Sequence, residues 1–224
     1  MLQASSCVVF DLDGTLADTS GDLLAAANSC FRAMGVGDQL GPEDAQEALN
    51  GGRAMLRRGL GRLGPVDEEV VNRWYQPLLT AYADAICVHT VLYPGVVAAL
   101  ETLRSEGRAL AVCTNKPEGL AETLLRALHV RDYFGALVGA DTLPVRKPDA
   151  APYHLAVRQA GDAPRSMLLG DTETDYRTAR AAGVPIALVT FGHEGAGVSR
   201  LQPDALLEHF EQLPELARQL LDQR

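Results

Sequence analysis

Four segments of the chain place polar side chains at the end of an apolar run of the kind that forms a buried strand. In an open α/β sheet, ligands bind outside the carboxyl ends of the strands, so side chains in these positions can meet at one site. The side chains that could take part in chemistry there are Asp11, Asp13, Thr114, Asn115, Lys147, Asp171 and Asp175.

This set combines four carboxylates with a lysine, a hydroxyl and an amide. Carboxylates packed together repel one another unless a cation joins them, and hard oxygen ligands of this kind suit Mg²⁺. A lysine beside a polar strand end suits a phosphate group. A carboxylate left free to attack phosphorus would form an aspartyl-phosphate, so the residue types alone predict phosphoryl chemistry.

The elements that must position these residues follow a β-α alternation. Strand-like runs at 109–114, 136–140, 166–170 and 186–190 are separated by helical patterns, which predicts a doubly wound, Rossmann-like parallel sheet of the α/β class. A first strand at 7–12 is followed only by helical patterns up to about residue 90. We therefore predict a core of residues 1–15 and 90–224, with residues 16–89 inserted as an α-helical cap domain.

The composition argues against nucleic-acid and membrane partners. The chain has 224 residues and a formal net charge of -9, whereas a dedicated nucleic-acid binder needs a basic surface. No apolar run approaches the roughly 20 residues that cross a bilayer, and the N-terminus lacks the basic start of a secretory signal. We expect a cytoplasmic protein, a monomer or homodimer, that acts on a small phosphate ester and has no nucleic-acid or membrane partner.

The four segments also resemble, in order, the motifs of the haloacid dehalogenase superfamily of phosphatases. DLDGT begins at Asp11, Thr114 ends an apolar run, Lys147 precedes a proline, and GDTETD contains Asp171 and Asp175. The helical insert resembles the cap that this family places after its first motif. The flanking strings FDLDGTLADT, TNKP and RKPDAAPY are similar to those of phosphoglycolate phosphatases.

The resemblance implies a role for each acidic residue. Asp11 corresponds to the nucleophile, which also binds Mg²⁺. Asp13 corresponds to the acid that protonates the leaving oxygen and then deprotonates water, with its backbone carbonyl on the metal. Asp171 corresponds to a metal ligand. Asp175 corresponds to a metal ligand or to a carboxylate behind one, although it could instead cap the helix that follows.

The remaining motif residues are implied to bind the phosphoryl group. Thr114 corresponds to the hydroxyl that holds it, with Asn115 beside it, and Lys147 to the cation that neutralises phosphate and nucleophile. Lys116, which lies between these motifs, is interpreted as a surface charge at the start of a helix.

An arginine cluster in the predicted cap is the candidate for substrate specificity. The string LNGGRAMLRRGLGRLG places Arg53 after a glycine pair, and arginine binds carboxylates with two hydrogen bonds. The alternative is a solvated helix face that is salt-bridged to Glu43, Asp44 or Glu47. Both interpretations of Arg53 stay open.

Several functions also stay open at this point. The resemblance favours hydrolysis of 2-phosphoglycolate, but N-acetylmuramic acid 6-phosphate is another possible substrate, and a sugar phosphate mutase keeps the same carboxylates. A phosphonoacetaldehyde hydrolase would need a lysine in the cap, and residues 16–89 contain none. A phospho-acceptor signalling module would hold phosphate instead of releasing it, so turnover separates that class from an enzyme.

Overall fold

The computed structural model describes residues 4–222, and the chain folds into two compact units. The first unit takes in the chain up to Ala17 and from Leu92 onward, and the second is Asp18–Val91. Each boundary lies two residues beyond the one expected from the sequence. The domain bounds given above, 15/16 and 89/90, stay predictions.

The strands of the first unit form a sheet in which every pairing is parallel. Within residues 4–222 the strands are β1 (Cys7–Phe10), β2 (Ala17–Asp18), β3 (Val91–Leu92), β4 (Ala109–Cys113), β5 (Ala136–Val138), β6 (Ser166–Gly170), β7 (Ile186–Val189) and β8 (Ala205–Leu207). Six of them make the sheet, in the order β5-β4-β1-β6-β7-β8. β2 and β3 pair separately, where the chain leaves and re-enters the first unit.

The helices of the first unit alternate with these strands, whereas the second unit is helical. In chain order the helices are α1 (Ser20–Ala33), α2 (Ala45–Ala48), α3 (Gly52–Gly61), α4 (Glu68–Asp84), α5 (Val96–Ser105), α6 (Glu118–Ala127), α7 (Ala150–Gln159), α8 (Glu173–Ala182) and α9 (Leu213–Leu221). The predicted α/β class, with a doubly wound parallel sheet and an inserted helical cap domain, is confirmed. Among the described helices, none is both long and apolar enough to cross a membrane.

β1 is the central strand and sets the position of the site. All four of its residues are fully buried, which explains its unbroken apolar run CVVF. Val9 pairs with Ala111 of β4 on one side and with Leu168 of β6 on the other. The chain winds outward from β1 in opposite directions, so the carboxyl ends of β1, β4 and β6 flank a topological switch point.

A buried carboxylate ties the two ends of the second unit together. Asp22, in the first turn of α1, accepts hydrogen bonds from the backbone N–H groups of His89 and Thr90, at 2.8 and 2.9 Å. The Thr90 hydroxyl donates a third bond, at 2.6 Å. A buried carboxylate with three donors stabilises the conformation that supplies them, so Asp22 fixes the last residues of this unit beside its first helix.

Close packing between α1 and α3 depends on a glycine. A Cβ atom at Gly59 would overlap the ring of Phe31, which is fully buried. Gly61, on the same helix, would place a Cβ no closer than 3.7 Å to another atom, the Cγ2 of Val66. The two glycines therefore form a matched pair for testing this contact.

We expect Gly59→Ala to lower the free energy of unfolding. Overpacking costs about 1–3 kcal/mol, which exceeds the gain of up to about 1 kcal/mol from the better helix propensity of alanine. Gly61→Ala gains the propensity without the overlap and should be neutral or stabilising. Urea denaturation followed by circular dichroism measures both variants, and equal stabilities for the two would contradict the packing argument.

Candidate active site

Three neighbouring strands are each followed directly by a residue of the predicted site. Asp11 follows β1, Thr114 follows β4 and Asp171 follows β6. The N–H of Asp11 donates to the carbonyl of Leu169 at 2.9 Å, and the N–H of Thr114 donates to that of Val138 at 3.0 Å. The sheet hydrogen bonding thus continues one residue past β1 and β4 and fixes the backbone of Asp11 and Thr114.

The cluster at these strand ends contains three of the four predicted acidic residues. One carboxylate oxygen each from Asp11, Asp171 and Asp175 lies within 4.8 Å of the others. Lys147, which is also buried, places its Nζ 2.9 Å from Asp11 Oδ1 and 2.6 Å from Asp175 Oδ1. One ammonium group therefore faces three carboxylates.

The pKa values report this imbalance of charge. Burial raises the pKa of Asp11 to about 6, against the lowering effect of Lys147, and Asp175 adds to the increase. Burial also raises the pKa of Asp171 well above its usual range, with Asp175 and Asp11 contributing. Burial acts to lower the pKa of Lys147, but Asp11 and Asp175 together raise it. The site holds more negative charge than Lys147 balances.

These residues fit a divalent cation. Their donors are carboxylate oxygens, the ligands that hard cations prefer, and a dication would relieve the excess charge. Asp11 Oδ1 is buried and accepts no hydrogen bond of good geometry from the described residues, although Lys147 Nζ lies 2.9 Å away. The contact shown for this oxygen is its ion pair with Lys147.

Asp171 and Asp175 are each held by further hydrogen bonds. Asp171 accepts from the Thr15 hydroxyl at 3.1 Å and from the N–H of His193 at 3.0 Å. Asp175 Oδ2 accepts from the N–H and hydroxyl of Thr172, at 3.2 and 2.8 Å, at the start of α8. One oxygen of Asp175 thus caps the helix while the other contacts Lys147, and its role toward a metal stays a prediction.

The close approach of Asp175 requires a glycine at the end of β6. A Cβ atom at Gly170 would overlap the Cβ and Cγ of Asp175. The glycine of the GDTETD motif thus makes room for the carboxylate that it precedes by five residues, and no other residue type leaves that space.

A family model described as haloacid dehalogenase-like hydrolase matches residues 8–189, which include every residue of this cluster. The chain belongs to this family. A phosphoglycolate phosphatase of Mesorhizobium japonicum is 38% identical over 221 residues, covering 96% of each chain. These findings confirm that this haloacid dehalogenase-like hydrolase is an enzyme of the phosphoric monoester hydrolase class.

Solved structures agree with the family assignment. A protein from Lactobacillus delbrueckii subsp. bulgaricus, assigned as a phosphoglycolate phosphatase, aligns with a TM-score of 0.85 and 25% identity, covering 98% of this chain and 100% of its own. A protein named CbbY from Rhodobacter sphaeroides, solved with xylulose-1,5-bisphosphate, aligns with a TM-score of 0.73 and 25% identity, covering 94% and 96% of the two chains. The haloacid dehalogenase-like fold is thus shared along nearly the whole chain.

Asp13 does not join the carboxylate cluster of this hydrolase through its side chain. Its Oδ1 and Oδ2 lie 2.9 and 3.2 Å from the Nζ of Lys116. The interpretation of Lys116 as a surface charge is wrong, because its side chain is buried against this carboxylate. Composition could have indicated a role for Lys116 in the site, since Lys116 and Lys147 are the only lysines in the sequence and both lie in motifs.

Two of the three motif residues predicted to bind the phosphoryl group, Thr114 and Asn115, lie in the loop between β4 and α6. Thr114 Oγ1 accepts a hydrogen bond from the N–H of Lys116 at 3.1 Å. The amide of Asn115 donates to the carbonyl of Lys147 at 3.1 Å and so links this loop to the segment that carries the lysine. Thr15 and Thr172, whose hydroxyls donate to Asp171 and Asp175, were not predicted as site residues.

Arg53 lies in the second unit and differs from the other arginines of the cluster. Its Nη1 donates to Asn72 Oδ1 at 2.5 Å, and its guanidinium lies 4.0 Å from the ring centroid of Tyr75. The other arginines bind carboxylates: Arg57 binds Glu68, and Arg58 and Arg62 bind Asp44. Arg53 contacts a neutral amide and an aromatic ring, and its role toward a substrate stays a prediction.

Proposed function

We propose that this hydrolase converts 2-phosphoglycolate to glycolate and phosphate through an aspartyl-phosphate on Asp11, with Mg²⁺ as its metal. The observation that carries the reaction type is the buried cluster of Asp11, Lys147, Asp171 and Asp175 at the strand ends. The choice of substrate is supported by the relatives named phosphoglycolate phosphatase.

In the proposed first step, Asp11 attacks phosphorus. Its Oδ1 is buried against Lys147 although the side chain as a whole is 13% exposed, so we assign the attack to the other oxygen. A bond forms between this oxygen and phosphorus as the ester bond breaks, and Asp13 gives its proton to the leaving oxygen. Lys147 balances the charge of the nucleophile, while Thr114 and Asn115 hold the phosphoryl group.

In the proposed second step, Asp13 takes a proton from water. The resulting hydroxide attacks phosphorus, the bond to Asp11 breaks, and phosphate leaves with Asp13 protonated for the next cycle. Asp11, Asp171 and Asp175, with the backbone carbonyl of Asp13, would hold Mg²⁺. When bound, the ion would stabilise negative charge on the phosphoryl oxygens.

Arg53 is proposed to recognise the carboxylate of the substrate. Its contacts with Asn72 and Tyr75 carry no negative charge, and the nearby Glu68 carboxylate, which also interacts electrostatically with Arg53, is paired with Arg57 through two hydrogen bonds. Arginine binds carboxylates with two charge-assisted hydrogen bonds, which suits the second acidic group of 2-phosphoglycolate.

We expect Arg53→Ala to lower kcat/KM for 2-phosphoglycolate by roughly 10- to 100-fold, the effect of losing about 1.5–3 kcal/mol of hydrogen bonding to a charged group. Hydrolysis of ethyl phosphate and p-nitrophenyl phosphate, which lack the carboxylate, should change little. Arg57→Ala removes the same charge from the same helix and serves as the control. Equal losses on all three esters would assign Arg53 to the fold, and no loss would return it to a solvated helix face.

A sugar phosphate is the second candidate substrate. The Rhodobacter sphaeroides structure contains xylulose-1,5-bisphosphate, which favours this class over other esters. N-acetylmuramic acid 6-phosphate, and a sugar phosphate that a mutase would isomerise, are also candidate substrates of this class.

The test is release of phosphate from a panel of esters at saturating Mg²⁺. We expect the highest kcat/KM for 2-phosphoglycolate. A sugar phosphate hydrolysed at least about ten times more efficiently, a difference of about 1.4 kcal/mol in transition-state stabilisation, would reassign the substrate. Isomerised sugar phosphate without free phosphate would indicate a mutase.

We also propose that the enzyme acts in the cytoplasm, as a monomer or homodimer, on small esters and not on nucleic acid. The net charge of -9 supports the last point, since it opposes binding to a polyanion. Analytical ultracentrifugation measures the oligomeric state, and a tetramer or larger assembly would contradict the proposal.

A further inference from the structure

Lys116 is a buried cation with no part in the mechanism described above. Its side chain is 4% exposed, and its Nζ lies 2.9 Å from Asp13 Oδ1 and 3.2 Å from Asp13 Oδ2. The ammonium group thus contacts both oxygens of one carboxylate. Lys147 faces Asp11 and Asp175 instead, so the two lysines of the chain serve different acidic residues of the DLDGT motif.

The backbone on both sides of this ion pair is fixed. The N–H of Lys116 donates to Thr114 Oγ1 at 3.1 Å, and its carbonyl accepts from the N–H of Ala140 at 2.9 Å. Beside Asp13, the N–H of Gly14 donates to the carbonyl of Ala17 at 2.9 Å. The ion pair therefore joins two ordered loops, one after β1 and one after β4.

We infer that Lys116 is a positioning residue for Asp13, which fixes the orientation of the carboxyl group that delivers a proton to the leaving oxygen. This inference rests on the proposed role of Asp13. An aspartate side chain has several rotamers, and proton transfer requires a heavy-atom distance of about 2.6–3.2 Å. A cation in contact with both oxygens selects one rotamer and one plane for the carboxyl group.

The inference predicts a dependence on the leaving group. Departure of an alkoxide requires the proton from Asp13, whereas p-nitrophenolate leaves as a stable anion. kcat/KM covers the steps up to the first irreversible one, which includes breakage of the ester bond. Loss of Lys116 should therefore lower kcat/KM for alkyl esters more than for p-nitrophenyl phosphate.

The experiment measures kcat/KM of the Mg²⁺-loaded enzyme for 2-phosphoglycolate, ethyl phosphate and p-nitrophenyl phosphate. We expect Lys116→Met to lower the value for both alkyl esters roughly 10- to 100-fold, as misplacement of a catalytic group does, and that for the nitrophenyl ester less than about 3-fold. Lys116→Arg should restore part of the loss. Arg126→Met removes one positive charge from an exposed position on α6 and should leave all three values unchanged.

A double-mutant cycle with Asp13→Asn separates positioning from other roles. If Lys116 acts through Asp13, Lys116→Met causes no further loss with ethyl phosphate once Asp13 is replaced. An additional full loss in that background would overturn the inference. So would an equal loss on all three esters, or a loss limited to 2-phosphoglycolate, which would mean that Lys116 binds the substrate carboxylate.

Two features keep the outcomes distinct. Ethyl phosphate tests the positioning role of Lys116 even if 2-phosphoglycolate proves to be a poor substrate. An error in the proposed substrate therefore does not decide the inference. Lys116→Gln, which keeps a hydrogen-bond donor without the charge, is measured beside Lys116→Met, with thermal unfolding of each variant. A well-folded Gln variant with wild-type values for both alkyl esters would refute the need for the ion pair.

Discussion

Asp11→Asn is expected to abolish turnover while leaving the fold intact. An amide does not attack phosphorus, so no covalent intermediate forms, and loss of a nucleophile costs at least about 10⁴-fold in kcat. Asparagine has nearly the same shape as aspartate, and Lys147 keeps its contact with Asp175 at 2.6 Å. The substitution also removes one charge from a buried cluster in which like charges repel.

Phosphate release under saturating substrate measures the loss, and thermal unfolding checks the fold. Asp132→Asn makes the same chemical change at an exposed position and should keep full activity. When the substrate carries a labelled phosphoryl group and turnover is quenched with acid, the wild-type enzyme should retain label as an aspartyl-phosphate. Asp11→Asn should retain none. A folded Asp11→Asn variant that retains about a tenth of the wild-type rate, far above the residual expected without a nucleophile, would remove Asp11 from the proposed role.

Removal of divalent metal is expected to cause the second large loss of activity. We expect EDTA to lower kcat by at least about 100-fold, because a metal ion supplies several kcal/mol of charge stabilisation in the transition state. Mg²⁺ should restore activity and Ca²⁺ should restore little. Mg²⁺ keeps a near-octahedral geometry, whereas the larger Ca²⁺ can take both oxygens of Asp11 and so block its attack.

A binding measurement tests the site independently of activity. Mg²⁺ should raise the melting temperature of the wild-type enzyme, because a ligand that binds only the folded state stabilises it. Asp171→Asn should weaken this shift, since one of the three clustered carboxylates is lost. Full activity in chelated buffer, or an unchanged shift in Asp171→Asn, would exclude the proposed metal site.

Much of the fold could be predicted because parallel strands buried on both faces leave continuous apolar runs. The run 166–170 is the strand β6, and the first run, predicted as 7–12, is a strand only as far as Phe10. β2 and β3 were not predicted, because each contains two residues and so carries no periodic pattern.

The site could be predicted where its chemistry follows from position along a strand. Asp11 and Asp171 lie at strand ends, which the apolar runs before them reveal. The contact between Asp13 and Lys116 could not be predicted, because the residues are 103 positions apart and no local pattern links them. Asp44, which pairs with Arg58, was predicted as a partner of the arginine cluster. Glu68, which pairs with Arg57, was not predicted because it lies on another helix.

The three hydrogen bonds that Asp22 accepts bear on how such an enzyme can diversify. They hold His89 and Thr90 beside the first turn of α1, so the inserted segment begins and ends at nearly the same place. A segment with adjoining ends can be shortened, enlarged or exchanged as a cassette, because the strands on either side still meet. Recombination at this joint would replace the helical insert wholesale and leave the aspartates and lysines of the first unit in register.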